Sequence, residues 1–264
     1  MSDQPTNAST NLPRPVPIPV SPGPRTGDPG RGVIGTAGAG QATSQDPLWG
    51  DFSTYQPVGV DPLKAAFDRG LAALVLLVTA PLFGLGALAI WVDGLIWRAD
   101  RGPVFHRETR VSAGDSFSLF KFRTMQVSAI EEARQQGLTI KYLERANRGH
   151  TRVGRHLRRW YVDELPQVLN ILRGEMSWVG PRPPAPFEYQ RELSEGNVRK
   201  RLARAGLVGL QQANKGRTRG FDEEIALDYE YVAQVRPMRP LRRLAYDISI
   251  LLRTLRVLLE GKGL

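Results

Sequence analysis

From residue 71 to residue 92 the chain reads LAALVLLVTAPLFGLGALAIWV, 22 positions without a charge. At ~1.5 Å rise per residue such a run forms about 33 Å of helix, enough to cross a hydrocarbon core of about 30 Å, and it predicts a membrane-inserted helix. Pro81 lies near the middle of the run and Gly84 and Gly86 follow it, which predicts a bend. Lys64 and Arg69 precede the run, and Arg98, Arg101, Arg107 and Arg110 follow it. Cations on both flanks place both ends on the cytoplasmic side. A helix broken at its centre with both ends on one face is a re-entrant hairpin. A plain bitopic span and a buried core helix are the alternatives, because proline is tolerated in many spanning helices.

Further along, the apolar stretches 103–105 and 117–122 flank a turn at Gly114 and Asp115, the pattern of a small β-hairpin. Residues 128–147 are polar and helix-forming. Arg145, Arg148, Arg152, Arg155, Arg158 and Arg159 then recur every three or four positions, either a solvated helix face or an anion-binding one. Leu165, Val168, Leu169 and Leu172 make one apolar helix face, with Pro166 in its first turn and Gly174 as its stop. Residues 239–259 alternate aliphatic side chains with Arg242, Arg243, Arg253 and Arg256. Such a basic amphipathic helix can lie in an acidic membrane interface or cover a core with a basic outer face. In residues 1–60, by contrast, 19 positions are Pro or Gly, and a disordered tail is expected there.

Charge sharpens this picture. The net charge is +10 and the pI about 10.3. Residues 1–60 hold three basic and four acidic side chains, so the remaining 204 residues carry +11. The partner of such a segment is anionic: nucleic acid, an acidic membrane surface or a phosphorylated substrate. No base-stacking aromatics interleave with the arginines in a recognised pattern, so nucleic acid is not expected. The chain has no cysteine, which excludes a disulfide scaffold, a cysteine zinc site and a cysteine nucleophile. His106, His150 and His156 lack metal-ligand spacing.

The candidate chemistry lies in residues 154–183. Asp163, at or just before the start of the 165–172 helix, reads on spacing alone first as an N-cap; the same geometry also suits a functional carboxylate where backbone N–H groups favour an anion. Adjacent Asp163 and Glu164 diverge by about 100° on a helix and suit two roles, one as nucleophile and the other helping to hold a divalent cation. Arg158, Arg159 and Arg182, the last in a stiff Gly-Pro-Arg-Pro turn, can offer forked donors to phosphate oxygens.

KFRTM at 121–125, VDELPQVLNILRGEMSWVGPRP at 162–183 and YDISILLRTLRVLLEGKG at 246–263 together resemble the bacterial sugar transferase family, the monotopic phosphoglycosyl transferases. The resemblance runs from about Asp61 to Leu264. It implies an α/β fold with mostly helices: a monotopic membrane protein with a re-entrant broken membrane helix, a small β-hairpin and interfacial amphipathic helices. Residues 1–60 would be the tail, 61–100 the helix-break-helix and 101–264 the catalytic domain on the cytoplasmic face of the bacterial inner membrane. The implied activity moves a hexose-1-phosphate from a UDP-sugar to undecaprenyl phosphate through a covalent aspartyl-phosphosugar, releasing UMP, as the first membrane step of surface glycan synthesis. Asp163 would be the nucleophile, Asp163 and Glu164 would hold Mg2+, and Lys121, Arg123, Arg158 and Arg182 would bind phosphate. Pro81 would be the break. The chain departs from the pattern in two places: Ala80 stands where a serine often precedes the proline, and Gln212 stands where an aromatic is common. A non-catalytic scaffold of polysaccharide assembly is the competing reading, and a homo-oligomer is left open.

Overall fold

The computed structural model describes residues 56–136, 143, 146, 148–215 and 221–260. Most of the expected tail, residues 1–55, and the end of the polar 128–147 stretch therefore lie outside the described residues. The uncharged run lies within one helix, α1 (Pro62–Ile96), whose first turn is capped by the Asp61 carboxylate accepting from the Lys64 N–H at 2.9 Å. The helical assignment continues through Pro81. The hydroxyl that Ala80 cannot supply comes from Thr79, whose Oγ1 donates to the Val75 carbonyl at 2.7 Å, a bond that tends to bend helices.

One stripe of α1, formed by Lys64, Asp68, Ala72, Gly86, Ile90 and Asp93, is buried, while Leu74, Leu77, Val78, Leu82, Leu85 and Leu88 are exposed. A helix with leucines facing out and charged groups facing in is the reverse of a soluble surface helix. Both its ends hold on to the same globular unit. Near the start, Lys64 Nζ donates to Asp247 Oδ2 at 2.6 Å and the Asp68 carbonyl accepts from Trp178 Nε1 at 3.0 Å. Near the end, Asp93 Oδ2 accepts from the Val153 N–H at 3.3 Å. Between them Phe83 packs on Phe105 and Phe122, with ring centroids 5.8 and 5.0 Å away.

The fold is mostly helical, with two small sheets. Strands β1 (Phe105–Ser112) and β2 (Asp115–Phe122) form the expected antiparallel hairpin. It turns at Ala113 and Gly114, both in left-handed conformation. Helix α2 (Val127–Gln135) follows, then α3 (Arg152–Arg159), a 3-10 turn (Val162–Glu164) and α4 (Gln167–Arg173). A second, parallel pair, β3 (Ser177–Val179) with β4 (Gly206–Val208), has no counterpart in the sequence reading. Its strands have three residues each, too short for the period-2 pattern to register. The two are linked through α5 (Pro186–Ser194) and α6 (Arg199–Leu202); α7 (Leu210–Ala213), α8 (Phe221–Val235) and α9 (Pro240–Leu259) complete the chain. The core gathers Val168 and Ile171 of α4, Trp178 and Val179 of β3, Val208 of β4, Val232 of α8 and Ile250 of α9, with Met176 fully buried among them.

Candidate active site

The site is assembled around the segment between α3 and α4. Helix α3 starts at Thr151, whose hydroxyl accepts from the Gly154 N–H at 2.8 Å, and ends at Trp160. Tyr161 then takes φ +57°, a left-handed conformation unusual for a bulky residue, which turns the chain into the 3-10 turn carrying Asp163 and Glu164. Pro166, not Asp163, occupies the N-cap of α4, and no side chain caps that helix. The capping explanation for Asp163 is therefore not realised.

Burial pushes the Asp163 carboxyl up to about 6, and the neighbouring Glu164 charge adds to the rise; Lys121 and Arg158 oppose it, as does the backbone N–H of Asp163. Three of the expected residues thus share one electrostatic neighbourhood with the nucleophile candidate. Arg182 joins them through Glu164, its Nη2 standing 3.7 Å from Oε1 with the side chain half exposed. A small cleft opens beside them, lined by Arg110, Lys121, Glu164, Gln167, Arg182 and Leu207 among others. Lys121 and Arg182 in one cleft beside the acidic pair suit an anion with several oxygens, such as a phosphate ester.

The backbone explains why these residues converge. Asn170 of α4 is fully buried; its Oδ1 accepts from the Phe120 N–H at 3.0 Å and its Nδ2 donates to the Ser118 carbonyl at 2.7 Å. These bonds fix β2, and hence Lys121, against the helix that follows the acidic pair. Arg182 lies three residues past the end of β3, and its turn is clamped from β4: the Gly206 N–H donates to the Pro181 carbonyl and the Gly180 N–H to the Val208 carbonyl, both at 3.0 Å. Backbones approach so closely here that a Cβ on Gly180 would collide with the Arg204 carbonyl, and one on Gly206 with the Gly180 backbone.

Arg123 does not join the cleft. It is 2 % exposed, and its three donor groups go to the carbonyls of Pro103, Met125 and Asp100 at 2.7 to 3.0 Å. With each of its three nitrogens bonded to a backbone carbonyl and the side chain buried, it does not line the cleft, and it ties the connection after α1 to the end of the hairpin. Burial lowers its pKa despite Asp100 and Asp93. Sequence reasoning, in turn, missed Gln167 and the functional side of Arg110, which it counted only as a flanking charge. The alternation His106, Glu108, Arg110 on one face of β1 was the signal that could have found the latter.

Among the described residues no group of three or more His, Asp or Glu side chains could hold a metal ion. Two adjacent carboxylates remain, a donor set that fits a cation completing its shell with substrate phosphate oxygens and water.

The family model for bacterial sugar transferases matches residues 60–261. The chain is 37 % identical over 211 residues to a UDP-glucose:undecaprenyl-phosphate glucose-1-phosphate transferase of Caulobacter vibrioides, covering 76 % of this chain and 72 % of that protein. It is 39 % identical over 182 residues to an undecaprenyl-phosphate glucose phosphotransferase of Komagataeibacter xylinus, covering 64 % of this chain but 32 % of that one. Over 225 residues it is 35 % identical to the galactosyl transferase CpsE of Streptococcus agalactiae, covering 80 % of this chain and 47 % of the relative. The chain therefore spans about a third to a half of the length of two of these relatives and most of the Caulobacter protein. With the acidic pair, the Gly-Pro-Arg-Pro turn and the long apolar helix all inside the matched region, the chain belongs to the bacterial sugar transferase family.

Proposed function

We propose that the protein is a phosphoglycosyl transferase that moves a hexose-1-phosphate from a UDP-sugar to undecaprenyl phosphate at the cytoplasmic face of the inner membrane. The observation that carries this reading is Asp163, a half-buried carboxyl with its pKa raised to about 6, set among Glu164, Lys121 and Arg158. At pH 7 such a group is about ten to one ionised, yet its charge is disfavoured by burial and by Glu164. Bonding to phosphorus removes that charge, so what raises its affinity for a proton also favours its attack on phosphate.

In the first step an Asp163 oxygen bonds to the sugar-bearing phosphorus and the bond to the bridging oxygen breaks, so that UMP leaves with the electron pair. In the second, an oxygen of the lipid phosphate bonds to the same phosphorus, and the bond to Asp163 breaks, regenerating the carboxylate. Arg182, Lys121 and Arg158 offset the charge on the phosphate oxygens during both steps. Asp163 and Glu164 would hold Mg2+, which when bound supplies positive charge beside the donor diphosphate. The kinetics are ping-pong.

The membrane arrangement follows from α1. A helix fastened to one globular unit near both ends, with an apolar outer face between, suits entry into one leaflet and return, with the bend at Pro81. The exposed face of α9 mixes Leu252, Leu255 and Leu259 with Arg253 and Arg256, a composition suited to the headgroup layer where the lipid phosphate lies.

The test is UMP release from a panel of UDP-glucose, UDP-galactose and UDP-N-acetylgalactosamine with undecaprenyl phosphate, the sugars in the names of the relatives. One donor should support UMP formation and, without acceptor, exchange of labelled UMP into UDP-sugar. Asp163→Asn should abolish both. An active preparation that shows no exchange, or an Asn variant retaining most activity, sinks the covalent route.

A further inference from the structure

Besides Glu164, a second acidic side chain, Glu108, stands against cations of the cleft, Arg110 and Lys121. On β1, His106, Glu108 and Arg110 share a face. Glu108 Oε2 accepts from Arg110 Nε at 3.1 Å and from Nη2 at 2.7 Å. The same oxygen lies 4.0 Å from Lys121 Nζ, a diagonal neighbour on β2 because Glu108 is paired with Leu119. A carboxylate beside a phosphate site opposes the ligand's charge, so its presence calls for a compensating role. Burial favours its neutral form, but Lys121, Arg110 and His106 outweigh burial and hold its pKa below the usual glutamate value. Glu108 therefore stays ionised at neutral pH.

The remaining edge of the Arg110 guanidinium points to the turn that bears Arg182. Arg110 Nη1 donates to the Pro183 carbonyl at 3.3 Å, across 73 residues of sequence. The next residue adds a main-chain bond, from the Val111 N–H to the Pro184 carbonyl at 3.1 Å. The Gly-Pro-Arg-Pro turn is thus held from β4 on one side and from β1 on the other. Among the described residues Arg182 has one ion pair, at 3.7 Å to Glu164, and its side chain is half exposed, so its placement depends on the backbone beneath it.

We propose that Glu108 and Arg110 are positioning residues: Glu108 orients Arg110 and Lys121, and Arg110 holds the turn that presents Arg182 to the donor diphosphate. This rests on the transferase reading above. Arginine is required at 110, because Nε and Nη2 go to one carboxylate oxygen while Nη1 reaches a carbonyl in another direction; a lysine ammonium on a flexible stem cannot reproduce that fork.

The experiment uses the full chain in detergent or lipid nanodiscs, with Arg110→Gln, Arg110→Lys, Glu108→Gln, Arg182→Lys and the Arg110→Gln/Arg182→Lys pair. Two readouts are taken: kcat/KM for the UDP-sugar, and affinity for UDP by calorimetry. Arg110→Gln and Glu108→Gln should each lower both by about tenfold or more, since small misplacement of a binding group is costly. Arg110→Lys, which keeps the charge and most of the volume, should not restore them. In the Arg182→Lys background the further loss from Arg110→Gln should shrink below about twofold, the non-additivity of residues acting through one another. Arg110→Gln within about twofold of wild type, rescue by lysine, or full multiplicative loss in the double variant overturns the proposal. Melting temperatures identify any variant that fails to fold, and Arg110→Lys is then the decisive comparison. If no UDP-sugar is turned over, the transferase reading fails, while the UDP affinities still decide whether the latch exists.

Discussion

Asp163 concentrates the conflict between stability and chemistry in one residue. Its folded-state pKa of about 6 lies roughly two units above its unfolded value. The native state therefore holds this proton more tightly than the unfolded chain does. Its contribution to stability is fully present below about pH 4 and is lost as pH rises through about 6. Above that pH, Asp163→Asn, which removes the charge, should stabilise the protein by up to about 3 kcal/mol. The gap should close near pH 4. Thermal unfolding at pH 4 and pH 8, without nucleotide or divalent cation, measures it; an Asn variant no more stable than wild type at pH 8 contradicts the cause assigned here. For the same reason kcat/KM of the free enzyme should fall about tenfold per unit below pH 6. Residues 154–183 were legible in the sequence as the chemical segment. The αL turn at Tyr161, which lifts Asp163 out of the capping position, was not, because nothing in a tyrosine signals positive φ.

At the level of elements, α1 and α9 are joined by an ion pair that sequence periodicity cannot reveal. Lys64 and Asp247 are 2.6 Å apart, each 2 % exposed or less, and Tyr231 Oη of α8 donates to the other oxygen of Asp247 at 3.0 Å. Burial raises the pKa of Asp247 and outweighs Lys64, Tyr231 and Arg243, which lower it. Asp68 also lies 3.6 Å from Lys64, so removing only the cation should be worse than removing every charge of the group: Lys64→Ala should cost about 3–5 kcal/mol, whereas Lys64→Met with Asp68→Asn and Asp247→Leu should cost much less. Thermal or denaturant unfolding in detergent gives the comparison, and equal losses would refute it. Helix α9 illustrates the limit of reading a helix alone. Its aliphatic and basic alternation was evident, but the buried stripe consists of Arg243, Asp247, Ile250 and Thr254, while Leu241, Leu252, Leu255 and Leu259 face outwards. Which face is inside was decided by the partners waiting on α1 and α8.

At the scale of the whole molecule the question is how the positive domain meets the bilayer. The sequence contains no cysteine, so single cysteines report topology without background. Leu63→Cys and Ala99→Cys, at exposed positions on either side of the apolar run, should both resist a membrane-impermeant maleimide in spheroplasts and both react in inverted vesicles. Labelling of one in spheroplasts establishes a spanning helix and overturns the re-entrant arrangement. The sequence by itself determined the apolar run, its flanking charges, the hairpin, the glycine stop at Gly174 and the motif that carries Asp163, Glu164 and Arg182. All of these are set by neighbours a few residues apart, the range over which periodicity, capping and turn chemistry act. Only the tertiary structure decided that Arg123 is committed to backbone carbonyls, that Asn170 locks β2 to α4, and that Arg110 reaches the turn beside Arg182. Those contacts join segments about 20 to 73 residues apart. Their energies depend on burial and on donor direction, which exist only once the chain has closed around them.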